Sequence, residues 1–182
     1  MSFADHFSGV SAAYAAFRPR YPDALFDLLA AAAPAREAAW DCATGNGQAA
    51  LGLARHFARV IATDASDAQI AYATPHPRIT YRVAAADRSG LGDRSVDLVT
   101  VAQAAHWLDR PRFYAEARRV LRPAGVIALW SYWDFTIAPE IDPILRVFHK
   151  ETVGPFWPLE RKLTEDRYRT IASSAGAIEN NR

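Results

Sequence analysis

The sequence is short of four things, and each shortage narrows what the chain can be. It has one cysteine, Cys42, so no disulfide can form within it, and a reducing compartment is the expectation. It has no apolar run approaching the ~18 residues that a membrane-spanning helix needs. Asp5 and His6 also interrupt the N-terminus before the apolar centre of an export signal could form, so the expected location is cytoplasmic. It has no excess of either charge. The 21 basic and 20 acidic residues leave a formal net charge of +1, and no field draws the chain to nucleic acid or to an anionic membrane surface. Lysine is scarce as well: only Lys150 and Lys162 occur, which beside abundant alanine reads as coding bias rather than chemistry. No metal-ligand set is read from the chain. What is plentiful is apolar surface. With 182 residues, 51% of them apolar, the chain suits one domain of two or three layers whose partner is a small molecule.

Along the chain the apolar period alternates between strand-like and helix-like, and that alternation is the fold signal. Pro22 can open a helix with Leu25, Phe26, Leu28 and Leu29 on one stripe, closed by the alanine run and Pro34. Residues 38–43 read as a buried strand, 48–58 as a helix and 60–63 as a second strand. Ser66 is an N-cap candidate for a helix that Pro75 and Pro77 terminate. Ile79, Tyr81 and Val83 alternate as a third strand, and Val96 to Val101 is a nearly continuous apolar fourth, as expected when helices cover both faces. A helix from about Pro111 is stopped by Pro123 and Gly125. A fifth strand then spans 126–132, and Ile141, Leu145 and Phe148 mark a last helix. Strands and helices in this order call for right-handed crossovers and a parallel sheet wound on both faces, with ligands at the carboxyl ends of its strands.

The first of those ends is the richest. Trp40-Asp41-Cys42-Ala43-Thr44-Gly45-Asn46-Gly47-Gln48 reads as strand, glycine turn and helix start, and Asp64 ends the next strand. Gly45, Gly47 and Ala50 satisfy the dinucleotide pattern G-x-G-x-x-G/A. Asp41 argues against a dinucleotide, because a carboxylate at the mouth of the loop repels a pyrophosphate and welcomes a positive group. Polar residues also gather at the other strand ends: Ala86 and Asp87, Gln103 to Trp107, and Ser131 to Trp133.

These residues carry a family resemblance. Arg18-Pro19-Arg20-Tyr21-Pro22, Trp40 to Gln48, Asp64-Ala65-Ser66 with Gln69, Gln103-Ala104-Ala105-His106-Trp107, Arg119 to Gly125 and Gly154-Pro155-Phe156-Trp157-Pro158 follow one another in a specific order and spacing. Together they resemble the class I S-adenosylmethionine-dependent methyltransferases, in particular a methyltransferase type 11 domain of the trans-aconitate methyltransferase-like small-molecule group.

The resemblance implies a Rossmann-like doubly wound, mainly parallel sheet of order 3-2-1-4-5, and S-adenosylmethionine as cofactor. It implies that Asp41 lies near the methionyl ammonium and that Ala43, Gly45 and Gly47 pass under the cofactor. Asp64 would accept from both ribose hydroxyls, with Ala65 beside it a further cofactor-binding position; Ala86 and Asp87 would border the adenine, and Gln103 and Ala104 would lie beneath the methionine arm. Tyr14, Arg18 and Tyr21 would belong to an N-terminal lid over residues 1–21. His106 is a candidate general base, or a residue that orders its loop. The acceptor is expected to be a small organic molecule carrying a carboxylate or hydroxyl. Trp130, Tyr132, Trp133, Phe156 and Trp157 either belong to the core or wall the acceptor pocket. One departure is visible, since the family usually has glycine where this chain has Ala43.

The methyltransferase domain is expected over 1–158, with 159–182 a polar, partly disordered tail in which Tyr168 to Ala172 could form one helical turn. The fold then lacks the usual last two strands, which leaves the fifth strand as an exposed edge and makes a homodimer one way to cover it. A cofactor-binding module with weakened catalysis, and less favourably an NAD-dependent oxidoreductase, are the competing readings.

Overall fold

The computed structural model describes residues 21–132, 137–166 and 168–171. The chain divides into two compact units, Met1–Trp130 and Ser131–Arg182.

The first unit is built on one parallel sheet. Its strands are β1 (Ala38–Cys42), β2 (Arg59–Asp64), β3 (Ile79–Val83), β4 (Val96–Ala102) and β5 (Leu121–Trp130), in spatial order β3-β2-β1-β4-β5. The expected order is the observed one. Among the described residues β3 and β5 are the sheet's edges.

Helices α1 (Asp23–Ala32) and α2 (Gln48–Leu53) cover one face. Phe26, Leu29 and Ala30 of α1 and Ala50 and Leu53 of α2 bury against Ala39, Val60, Ala62 and Leu98 of the strands. Each large apolar side chain withdrawn in this way contributes roughly 1.5–3 kcal/mol. The two helices approach closely because position 52 is glycine: a Cβ there would lie 2.1 Å from the Phe26 ring. Helix α3 (Asp67–Ala71) follows β2, with Ser66 Oγ accepting from the Gln69 amide at 3.3 Å, which is the expected cap. Helix α4 (Arg110–Val120) opens on Asp109, whose side chain accepts from the Arg112 amide. It buries Phe113, Ala117 and Val120, and the Phe113 ring meets Trp40 of β1 at 6.2 Å between centroids.

The sheet register sorts the α1/α2 face into rows. Ile79, Val60, Ala39, Leu98 and Val126 stand side by side across the five strands and form an apolar row. Two residues further along each strand the row reads Tyr81, Ala62, Asp41, Thr100 and Ala128. Polar groups therefore begin one repeat of the pleat above the core.

The fifth strand begins earlier than expected. Leu121 already pairs with Val96, then residues 122–125 shift the register before Val126 pairs with Leu98. Pro123 and Gly125 mark that irregularity inside the strand rather than a gap before it.

The second unit opens α5 (Asp142–Val147) with Asp142 Oδ1 accepting from the amides of Ile137 and Ala138 at 2.7 and 3.2 Å. A wider turn over Phe148–Thr152 extends it. Single turns at Gly154–Phe156 and Leu159–Arg161 lead into α6 (Lys162–Glu165). Residues 168–170 form a turn rather than the expected helical turn, and no strand occurs among the described residues of this unit. No helix of the described residues is long and apolar enough to cross a membrane.

Candidate active site

The loop from Ala43 to Gly47 joins β1 to α2. Ala43 has φ of 54°, Gly45 58° and Gly47 91°, so the chain turns through the left-handed region three times in five residues. Glycine tolerates this, whereas a side-chain-bearing residue is held there at a cost of about 1–2 kcal/mol. Position 43 is therefore one that favours glycine, and alanine is kept there under strain. At Gly47 a Cβ would also lie 2.2 Å from the Tyr81 hydroxyl, so this glycine makes room for a ring of β3, two strands away from β1. The Thr44 amide donates to the Thr63 carbonyl at 2.9 Å, and the Gly47 amide closes the turn on Thr44 at 3.1 Å.

Two carboxylates hold the loop from below. Asp64 is buried, and its two oxygens accept from the Gly45 amide at 2.8 Å and the Ser66 amide at 2.9 Å. It ties the loop to the start of α3. Asp41 lies at the end of β1 with no exposed surface. It accepts from the hydroxyls of Thr44 at 2.5 Å and Thr100 at 2.8 Å. Burial pushes its carboxyl up to about 6, against the opposing pull of those hydroxyls and of the Ala50 amide. No cation pairs with it among the described residues. Tyr81, in the same row, is also pushed up, to about 12, by burial and by the Asp41 charge, and its hydroxyl donates to the Thr74 carbonyl at 3.0 Å.

The remaining sequence-derived candidates are dispersed over the strand ends and the loops that follow them. Ala65 is exposed beside Asp64. Gln103 and Ala104 follow β4, the strand beside β1, and Gln103 has φ of 59° while its amide donates to the Trp130 carbonyl at 2.9 Å. His106 lies on the short turn Ala105–Trp107, half-buried, with its ring centroid 4.7 Å from that of Trp107. Asp87 lies on the turn after β3 and pairs with Arg112 of α4 at 3.3 Å. Tyr14, Arg18 and Trp133 lie outside the described residues. Of the other aromatics, Trp130 packs against the core cluster and meets Tyr21 edge-on at 5.5 Å, whereas Tyr132 and Phe156 are exposed. Cys42 is buried in β1, and burial raises its thiol well above the ordinary value, so it stays protonated.

Several residues here carry no local signal. Thr100 and Tyr81 gain their roles only from the register of β1, β3 and β4, whereas Thr44 reaches Asp41 from three residues away within the quoted motif. Gln69, part of the quoted motif, sets its side-chain oxygen 3.7 Å from where a Gly45 Cβ would lie. Gln48, at the start of α2, has a buried side-chain oxygen with no partner. The two arginines of the Arg119 to Gly125 motif are structural. Arg119 pairs with Glu116 at 2.7 Å and Asp93 at 2.5 Å, and Arg122 pairs with Asp97 and Glu37, both at 2.9 Å.

A parallel sheet in this strand order, with an acid at the end of β1, a left-handed loop and an acid at the end of β2, defines a nucleoside-binding α/β domain. Residues 40–129 match a methyltransferase domain family. A methyltransferase-family protein of Dictyostelium discoideum is 39% identical over 94% of this chain and 67% of its own length. A protein of Saccharomyces cerevisiae assigned as an S-adenosylmethionine-dependent methyltransferase is 30% identical over 77% of this chain and 51% of its own length. The structure of a protein assigned as a type II methyltransferase from Anaeromyxobacter dehalogenans is 47% identical, with a TM-score of 0.85, covering 91% of this chain and 70% of that one. The chain belongs to the class I S-adenosylmethionine-dependent methyltransferases. It spans between half and two thirds of the length of these curated relatives.

Proposed function

We propose that this chain binds S-adenosylmethionine at the carboxyl ends of β1, β2 and β4 and transfers its methyl group to a small organic acceptor. One observation carries the reading: Asp41 is fully buried beneath the loop and, among the described residues, has only neutral hydroxyl and amide partners. A buried carboxylate so placed is stabilised by a cation from outside the chain and opposed by a pyrophosphate. The donor set fits the cofactor on this ground, and the unpartnered Gln48 oxygen adds a buried polar atom beside the same loop.

When bound, the cofactor supplies a sulfonium methyl group already activated for displacement. The chain's part is to position. Asp41 faces the ammonium, Ala43, Gly45 and Gly47 shape the loop, and Asp64 and Ala65 take the ribose. Ala86 and Asp87 border the adenine, and Gln103 and Ala104 lie along the methionine arm. Tyr14 and Arg18 complete the site from the segment over 1–21, and the domain runs to residue 158. Alignment of this kind is worth roughly 7–11 kcal/mol, which makes a catalytic side chain optional. A hydroxyl acceptor needs its proton removed, and His106 is the base for that case; a carboxylate acceptor needs none.

Calorimetric titration with S-adenosylhomocysteine and with NAD tests the binding half. Micromolar binding of the former and none of the latter supports the proposal, and the reverse overturns it. Labelled methyl transfer to panels of carboxylic acids, phenols and amines tests the second half. Binding without transfer to any of them would leave a cofactor-binding module. With a hydroxyl acceptor in hand, His106→Ala should lower turnover ~10²-fold or more at unchanged cofactor affinity.

A further inference from the structure

The second unit holds a cation that the cofactor site does not use. Arg161 ends the turn Leu159–Arg161, and its guanidinium carbon lies 3.6 Å from the Trp157 ring centroid, a stacked arrangement. Its Nη2 donates to Nε2 of His149 at 2.9 Å, and the His149 ring meets Trp157 at 5.5 Å between centroids. The ion pairs among the described residues use Arg55, Arg112, Arg119 and Arg122, and none uses Arg161. Burial pulls its pKa down, while the charge of Glu165 acts against that pull from beyond ion-pair reach. The group remains a cation with five N–H donors, of which His149 takes one.

Two buried polar atoms in this segment have no partner among the described residues. One is Arg161 Nε and the other is the hydroxyl oxygen of Thr164, three residues on in α6. Residues three apart on a helical segment share a face. Buried polar groups without partners are uncommon in folded proteins, and two of them three residues apart, one on a stacked guanidinium, are what acceptor oxygens would complete.

We infer that Arg161 and Thr164, with Trp157 as a flat apolar wall, bind the carboxylate of a small organic molecule. The guanidinium offers a planar fork matched to two carboxylate oxygens, and one cation balances one negative charge. A phosphate would present more charge than this single cation answers. The site lies wholly in the second unit, and its assignment does not depend on the cofactor reading.

The test uses the full chain with benzoate and inorganic phosphate as probes, followed by calorimetry and by the ¹⁵N NMR signal of Arg161 Nε–H. Benzoate should saturate and shift that signal. Arg161→Gln should weaken benzoate ~10–100-fold, the loss expected for a charge-assisted pair, with affinity for S-adenosylhomocysteine unchanged. Thr164→Val separates binding from folding: removing an unpartnered hydroxyl should raise the melting temperature and still weaken benzoate several-fold. Equal benzoate affinity in the wild type and Arg161→Gln, or no saturable shift, would overturn the site. Tighter binding of phosphate than of benzoate would overturn the carboxylate assignment.

Discussion

Asp97 and Asp41 sit on neighbouring strands with no exposed surface at either residue, and the chain treats their charges in opposite ways. Asp97 is at the amino end of β4. Burial pushes its carboxyl up, yet the Ala38 amide, the Arg122 guanidinium and the Glu37 amide together hold it below the ordinary carboxylate range. Asp41, at the carboxyl end of β1, has hydroxyls and an amide for partners among the described residues and is left at about 6. The first arrangement is an internal tie, closed by the protein's own cation. The second is open, and it lies where ligands of this fold bind. Glu116, held down at about 2 by Arg119 and Ser89, belongs with Asp97. A buried acid answered by the chain serves stability, and one left unanswered points to a partner from outside.

That contrast can be broken at either end. The largest effect is expected from Asp97→Ala, which leaves two amides without their acceptor and the Arg122 guanidinium with Glu37 alone. It should cost about 3 kcal/mol, or roughly 6–12 °C in melting temperature followed by circular dichroism. An unchanged melt would remove Asp97 from the structural side of the comparison. Next comes Asp41→Asn, which should weaken S-adenosylhomocysteine ~10–100-fold by calorimetry while leaving stability at pH 7 intact or improved. A variant that unfolds, or that binds as well as the wild type, would make Asp41 another internal tie.

The pH dependence of stability should also differ. Because the folded Asp41 pKa is raised, its ionisation costs the folded state about 3 kcal/mol above pH 6, and the cost is relieved as pH falls through that value. Between pH 7 and pH 5 the wild type should gain about 1–1.5 kcal/mol relative to Asp41→Asn in urea melts. Glu116 and Asp97 work with the opposite sign: their contribution is present above the ordinary carboxylate pKa and is lost as pH falls towards their lowered values. The smallest effect concerns the loop. Ala43→Gly should raise stability by ~0.5–1 kcal/mol, since relief of the left-handed strain exceeds the extra freedom glycine gains when unfolded. A loss of stability would mean that the Ala43 methyl is packed rather than tolerated.

The sequence shows one of these two regions far better than the other. Asp41, Gly45, Gly47 and Asp64 lie within 24 residues around one strand–turn–helix unit, so local pattern and family resemblance point to them together. Asp97 gives no such signal, because its partners Glu37, Ala38 and Arg122 are 25 to 60 residues away and meet only when β1, β4 and β5 align. Thr100 and Tyr81 are hidden for the same reason: they read as ordinary strand residues until register places them in the row of Asp41. The start of β5 is misread because Pro123 and Gly125 signal an end to the helix with equal force whether a loop or a distorted strand follows. The oddity of Ala43 is visible in the sequence as a departure from glycine, and its φ of 54° gives the cause.

In the proposed function Asp41 is the charge that a cationic cofactor answers. The direct test is the dissociation constant of S-adenosylhomocysteine measured by calorimetry from pH 7.5 down to pH 5. An ionised Asp41 predicts a constant affinity above about pH 6 that weakens as the carboxyl takes up its proton, approaching tenfold per unit at the acid end, with no such trend in Asp41→Asn. The same weakening in both proteins, or a flat profile in the wild type, would contradict it.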